Sequence, residues 1–81
     1  MRPKDILDLI QQRPFEPFRL YLSDGAIFEV RHPELAMVGH STVTIGIPSK
    51  NSDEPVYDHL VKCALVHITR TEPINGTRKT K

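Results

Sequence analysis

Phe18-Arg19-Leu20-Tyr21-Leu22-Ser23-Asp24-Gly25-Ala26-Ile27-Phe28-Glu29-Val30 holds two alternating runs around a Ser-Asp-Gly break. Period-two alternation places Phe18, Leu20 and Leu22 on one face of a first strand, and Ala26, Phe28 and Val30 on one face of a second. A two-residue Asp-Gly loop would set Leu20 opposite Glu29 and Tyr21 opposite Phe28, turning the apolar sets to opposite faces. A three-residue loop, Ser23-Asp24-Gly25 with Gly25 left-handed, pairs Leu22 with Ala26, Leu20 with Phe28 and Phe18 with Val30. That hairpin has one apolar face, and Arg19, Tyr21, Glu29 and Arg31 lie on the other.

Upstream, Lys4 to about Gln12 reads as a short helix. Pro3 suits a first helical turn, and Ile6, Leu7, Leu9 and Ile10 gather on one side. Asp5 near its start and Arg13 at its end complement the helix dipole, and Pro14 and Pro17 stop it. Downstream, Pro33 cannot donate within a ladder, so Ala26 to Val38 reads as one long second strand kinked at His32-Pro33. A Gly39-His40-Ser41 turn feeds a third strand with Val43, Ile45 and Ile47 inward. A polar loop, Pro48 to Pro55, follows. Val56 to Val61 forms a fourth strand, Lys62-Cys63-Ala64 a tight link, and Leu65 to Thr71 a fifth strand. The fold predicted is mainly β: a small, strongly bent five-stranded antiparallel barrel, Sm-like or SH3-like, with a short N-terminal α-helix.

The chain has 81 residues, enough for one domain over residues 1–74. Its single cysteine, Cys63, excludes a disulfide framework and points to a reducing cytoplasm. No apolar run approaches the roughly 18 residues of a membrane span, so neither a membrane partner nor a targeting segment is expected. The formal net charge of +1 hides an asymmetry: residues 1–74 carry eight Lys/Arg against ten Asp/Glu. The excess positive charge lies in Arg78, Lys79 and Lys81, in a 75–81 tail whose composition predicts disorder. An acidic body does not advertise the many phosphate contacts of non-specific nucleic-acid binding.

The pattern of one helix, five strands, a bent second strand and a tight last link resembles the Sm/LSm fold, and within it most closely the Hfq family of bacterial RNA chaperones. Tyr21-Leu22-Ser23-Asp24-Gly25 is similar to that family's Tyr-Leu-x-Asn-Gly turn. Lys62-Cys63-Ala64-Leu65-Val66-His67-Ile68 is similar to its Lys-His-Ala-Ile-x-x-Val signature, with Cys63 in place of the histidine. Lys62 matches the lysine lining the uridine-binding pore, while the family's Gly-Gln after strand two is absent. Pro14-Phe15-Glu16-Pro17-Phe18-Arg19, Ser23-Asp24-Gly25 and Arg31-His32-Pro33-Glu34 together resemble a set of short uncharacterised bacterial proteins over about residues 4–74, which implies no activity.

Three functions compete. The first is a non-catalytic adaptor or assembly module whose sheet edges, at Val56, Tyr57 and Ile68, contact a second copy or another protein. The second, implied by the resemblance and by a stacking residue among cations, is single-stranded RNA binding through Lys62, Tyr21, Arg19 and Arg31. The third is metal binding at His59, Cys63 and His67. Their H-x3-C-x3-H spacing lies on one face of a helix, but in an extended strand it sets successive members about 13 Å apart. No catalytic motif is present and no cofactor is implied. His32 and His40 sit in turns, and Ser41 has no nucleophile elbow around it.

Overall fold

The computed structural model describes residues 1–48 and 57–74. Helix α1 (Pro3–Gln11) precedes strands β1 (Phe18–Leu22) and β2 (Ile27–Val30), a 3-10 turn at Pro33–Leu35, and strands β3 (Ala36–Val38) and β4 (Thr42–Pro48). Strand β5 (Tyr57–Ala64) then meets a second 3-10 turn at Leu65–His67, and β6 (Ile68–Pro73) follows. The strands form two antiparallel three-stranded sheets, ordered β2-β1-β6 and β3-β4-β5. Most of the predicted loop after residue 48 and the whole of the predicted 75–81 tail lie outside the described residues.

The five-stranded barrel predicted from the sequence is therefore corrected to six strands in two separate sheets among the described residues. The physical reason lies at two junctions. Pro33 does more than kink a strand: it opens a 3-10 turn in which Leu35 donates its N–H to the His32 carbonyl at 3.0 Å. The chain leaves extended pairing there, so Ile27–Val30 stays with β1 while Ala36–Val38 pairs with β4. At the other junction Lys62-Cys63-Ala64 is not a link. All three lie within β5, opposite Thr44, Val43 and Thr42, and the reversal falls three residues later at Leu65–His67. With both junctions in 3-10 turns, no ladder joins the two sheets among the described residues.

The first hairpin has the three-residue register. Phe18 pairs with Val30 and Leu20 with Phe28, and Leu22 donates its N–H to Ala26 O at 2.9 Å. Gly25 carries φ +93°, a conformation that costs glycine nothing. Asp24 locks the turn by accepting the Ala26 N–H at 2.9 Å.

Between the sheets and α1 lies one core of Ile6, Phe18, Leu20, Val30, Leu35, Val43, Ile45, Cys63, Leu65 and Ile68. A nine-residue helix is too short to persist alone, and Ile6, with Leu9 and Ile10 beside it, ties α1 to that core. Leu7, expected on the same side, is 39 % exposed because it lies about 100° round the helix from Ile6. At the helix end Arg13 Nη1 donates to the Ile10 carbonyl at 3.0 Å, satisfying one terminal acceptor. No helix among the described residues is long and apolar enough to cross a membrane.

Candidate functional site

Three surfaces gather the residues singled out above. On the outer face of the first sheet the register sets Arg19 between Glu29 of β2 and Glu72 of β6, with Tyr21 beside Arg70. Arg19 Nε donates to Glu29 Oε2 at 3.0 Å, and Arg31 reaches the other Glu29 oxygen at 3.0 Å. The Tyr21 hydroxyl donates to Glu72 Oε1 at 3.1 Å, Arg70 Nε bonds Glu72 Oε2 at 2.7 Å, and the Arg70 guanidinium lies 3.9 Å above the Tyr21 ring. The hydrogen bond from Arg19, reinforced by Arg31, holds the Glu29 carboxyl below its ordinary range, and Arg70 followed by Tyr21 does the same for Glu72.

Three of the four RNA candidates, Arg19, Tyr21 and Arg31, are thus brought onto one face, where each is bonded to a carboxylate. A phosphate approaching these groups would meet the negative charge of Glu29 and Glu72 beside them. The fourth, Lys62, stands on the other sheet, exposed and opposite Thr44.

A cavity of about 310 Å³ opens where the sheets meet, lined by Leu22, Ser23, Asp24, Lys62, Cys63, Ala64 and His67. Ser23 donates its N–H to the His67 carbonyl at 2.8 Å and its hydroxyl lies 3.3 Å from His67 Nδ1, so the first turn is stitched to the second 3-10 turn. Cys63 is a free, buried thiol. Burial first and the Asp24 carboxylate second push its pKa up, which keeps it protonated and a poor nucleophile or ligand. Cys63 and His67 share this cavity. His59 does not: it sits further back along β5, with Nδ1 3.4 Å from Asp58. The predicted trio is not assembled, and no group of three metal-ligating side chains exists among the described residues. The cause is the extended β5, which separates His59 from Cys63 by four residues of strand.

The third surface is the outer face of the second sheet. Here Met37 of β3 is 73 % exposed and Leu60 of β5 is 61 % exposed. Gly46 of β4 pairs with Leu60 and has no side chain to fill the space, leaving a shallow cleft of about 80 Å³ that reaches from Leu60 to Met37 and Glu34. Of the edge contacts predicted from the sequence, Val56 lies outside the described residues and Tyr57 begins β5. Ile68 begins β6, the end strand of the other sheet among the described residues, and its side chain, 4 % exposed, lies in the core because the reversal at Leu65–His67 turns it inward. Met37 and Leu60 were missed. The signal for Leu60 was its place midway between Asp58 and Lys62 in an alternating strand, and reading a link at 62–64 obscured that phase.

Compared with family models, with curated proteins and with solved structures, the chain gives no match. Its class is defined by geometry alone: a small mainly-β unit of two three-stranded sheets closed over by one short helix.

Proposed function

We propose that the chain is a non-catalytic adaptor or assembly module that associates with a second copy of itself through a sheet edge, in the reducing cytoplasm that suits a lone thiol. The observation carrying this reading is β5. It is eight residues long and is the end strand of its sheet among the described residues, and it borders an outer face bearing the exposed Leu60 and Met37. Edge strands of that length present a row of backbone donors and acceptors, which proteins either blunt or use. The ion-paired outer face of the first sheet supports contact with protein rather than phosphate.

The test is molecular mass in solution. Sedimentation equilibrium of the full chain should give multiples of the 9.2 kDa protomer, and Leu60→Lys should shift the population toward protomer. A single 9.2 kDa species up to about 100 µM refutes the reading, since an interface with a Kd of ~10 µM would be largely occupied there.

A further inference from the structure

The two sheets meet without a ladder between them, and the gap at their junction carries charge of both signs. Leu65 donates its N–H to Ser41 O at 2.8 Å, and in the same register Cys63 faces Val43 and Lys62 faces Thr44. Hydrogen-bonded and non-hydrogen-bonded pairs alternate, so Cys63 spends its backbone groups on β4 while Lys62 turns its own toward the open edge. Where that edge meets the first turn lies the cavity of about 310 Å³, at the small end of the ~300–1,000 Å³ range of ligand sites. Leu22, Cys63 and Ala64 give it an apolar wall, and Asp24 and Lys62 give it an acid and a base.

These two charges do not neutralise each other. Asp24 and Lys62 line one cavity, yet no ion pair joins them, and the Lys62 ammonium pairs with no other carboxylate among the described residues. Asp24 is fixed in place, because its Oδ1 accepts the Ala26 N–H at 2.9 Å, and its Oδ2 remains for another donor. The carboxylate is felt inside the cavity, where after burial it is the second cause of the raised Cys63 pKa. Ser23 pins the first turn to the second 3-10 turn, through its N–H to the His67 carbonyl at 2.8 Å and its hydroxyl 3.3 Å from His67 Nδ1. The walls are set before a ligand arrives, which lowers the ordering cost of binding.

We propose that this cavity binds a small zwitterion, a free α-amino acid with an aliphatic side chain. Its ammonium pairs with Asp24, its carboxylate with Lys62, and its side chain packs on Leu22, Cys63 and Ala64. The two charges select the class. An anion gains Lys62 but meets the like charge of Asp24, and a cation gains Asp24 but meets Lys62. A neutral ligand covers both charges without pairing either. A zwitterion satisfies both, and the size of the cavity keeps it small.

Titration of the full chain with L-valine at neutral pH, followed by heteronuclear NMR, tests the site. Valine should bind with a Kd of ~1 mM, as suits two exposed charges and a small apolar contact, and should shift the amides of residues 22–24 and 62–67. Isobutylamine is valine without its carboxylate and isovalerate is valine without its ammonium. Each should bind at least about fivefold more weakly. Lys62→Met should abolish the advantage of valine over isobutylamine, and Asp24→Asn its advantage over isovalerate. Asparagine keeps an oxygen for the Ala26 N–H, both positions are exposed, and circular dichroism checks that each variant is folded. No amide shift at ~20 mM valine overturns the proposal. So does isovalerate or isobutylamine binding as tightly as valine to the parent chain, or valine affinity unchanged in both variants.

Discussion

Gly25→Ala and Gly39→Ala add the same methyl group to two turns and should move stability in opposite directions. At Gly25, φ is +93° and nothing lies within 4 Å of where the new Cβ would sit, so no steric overlap contributes. The whole cost is conformational: an L-residue forced into the left-handed region loses ~1–2 kcal/mol. A stiffer unfolded chain returns ~0.4–1 kcal/mol of that, leaving a net loss of about 1 kcal/mol. At Gly39 the backbone is not left-handed, and an added Cβ would lie 3.4 Å from Thr42 Oγ1 and 3.5 Å from Thr42 O, in ordinary contact. Only the unfolded-state benefit remains there, a gain of ~0.4–1 kcal/mol. In a domain of this size ~1 kcal/mol corresponds to about 4–8 °C in Tm, well within reach of thermal and urea unfolding followed by circular dichroism. Gly25→Asn should recover part of the Ala loss because asparagine tolerates the left-handed region. A stable Gly25→Ala, or two alanine variants moving together, would refute the claim that the Ser23-Asp24-Gly25 turn demands this backbone conformation.

Acid should weaken the fold through Glu29 and Glu72. Both carboxyls are held below their ordinary range when folded, so their contribution is present above the unfolded value of ~4.3 and is lost as pH falls through the lower folded value. Urea midpoints between about pH 5 and pH 3 should fall less steeply in Glu29→Gln and Glu72→Gln than in the parent, and equal slopes would dissociate the ion-pair face from stability. Oligo-uridine titrated at two salt concentrations should show no salt-dependent binding, since Arg19 and Arg31 are already paired with Glu29. Affinity that drops with salt and vanishes in Lys62→Ala would return single-stranded RNA to the front.

The alternation of Phe18-Arg19-Leu20-Tyr21-Leu22 and Ile27-Phe28-Glu29-Val30, together with one glycine, was enough to read the hairpin's register, its turn and its outward face. Pro3, Asp5 and Arg13 likewise marked the ends of α1 to within a residue. Those features are local, because the turn and the side-chain period act within a few bonds of the residues that specify them. The candidate sites were less legible. Arg19, Tyr21 and Arg31 were recognised as outward, but Tyr21's partner Glu72 comes from a strand some fifty residues later, and no period-two pattern announces which distant strand will lie alongside.

By itself, then, the sequence determined a mainly-β unit with one short helix, a first hairpin with a three-residue turn, and an apolar face for each of its strands. Tertiary structure decided how the strands are shared between sheets. Pro33 and Leu65 both enter 3-10 turns, dividing six strands into two sheets, and the second turn carries Ile68 into the core. Alternation says which way a side chain points relative to its own strand. Which strand it meets depends on where the chain leaves the extended state, and that is settled by competition among backbone hydrogen bonds and core contacts far apart in the sequence.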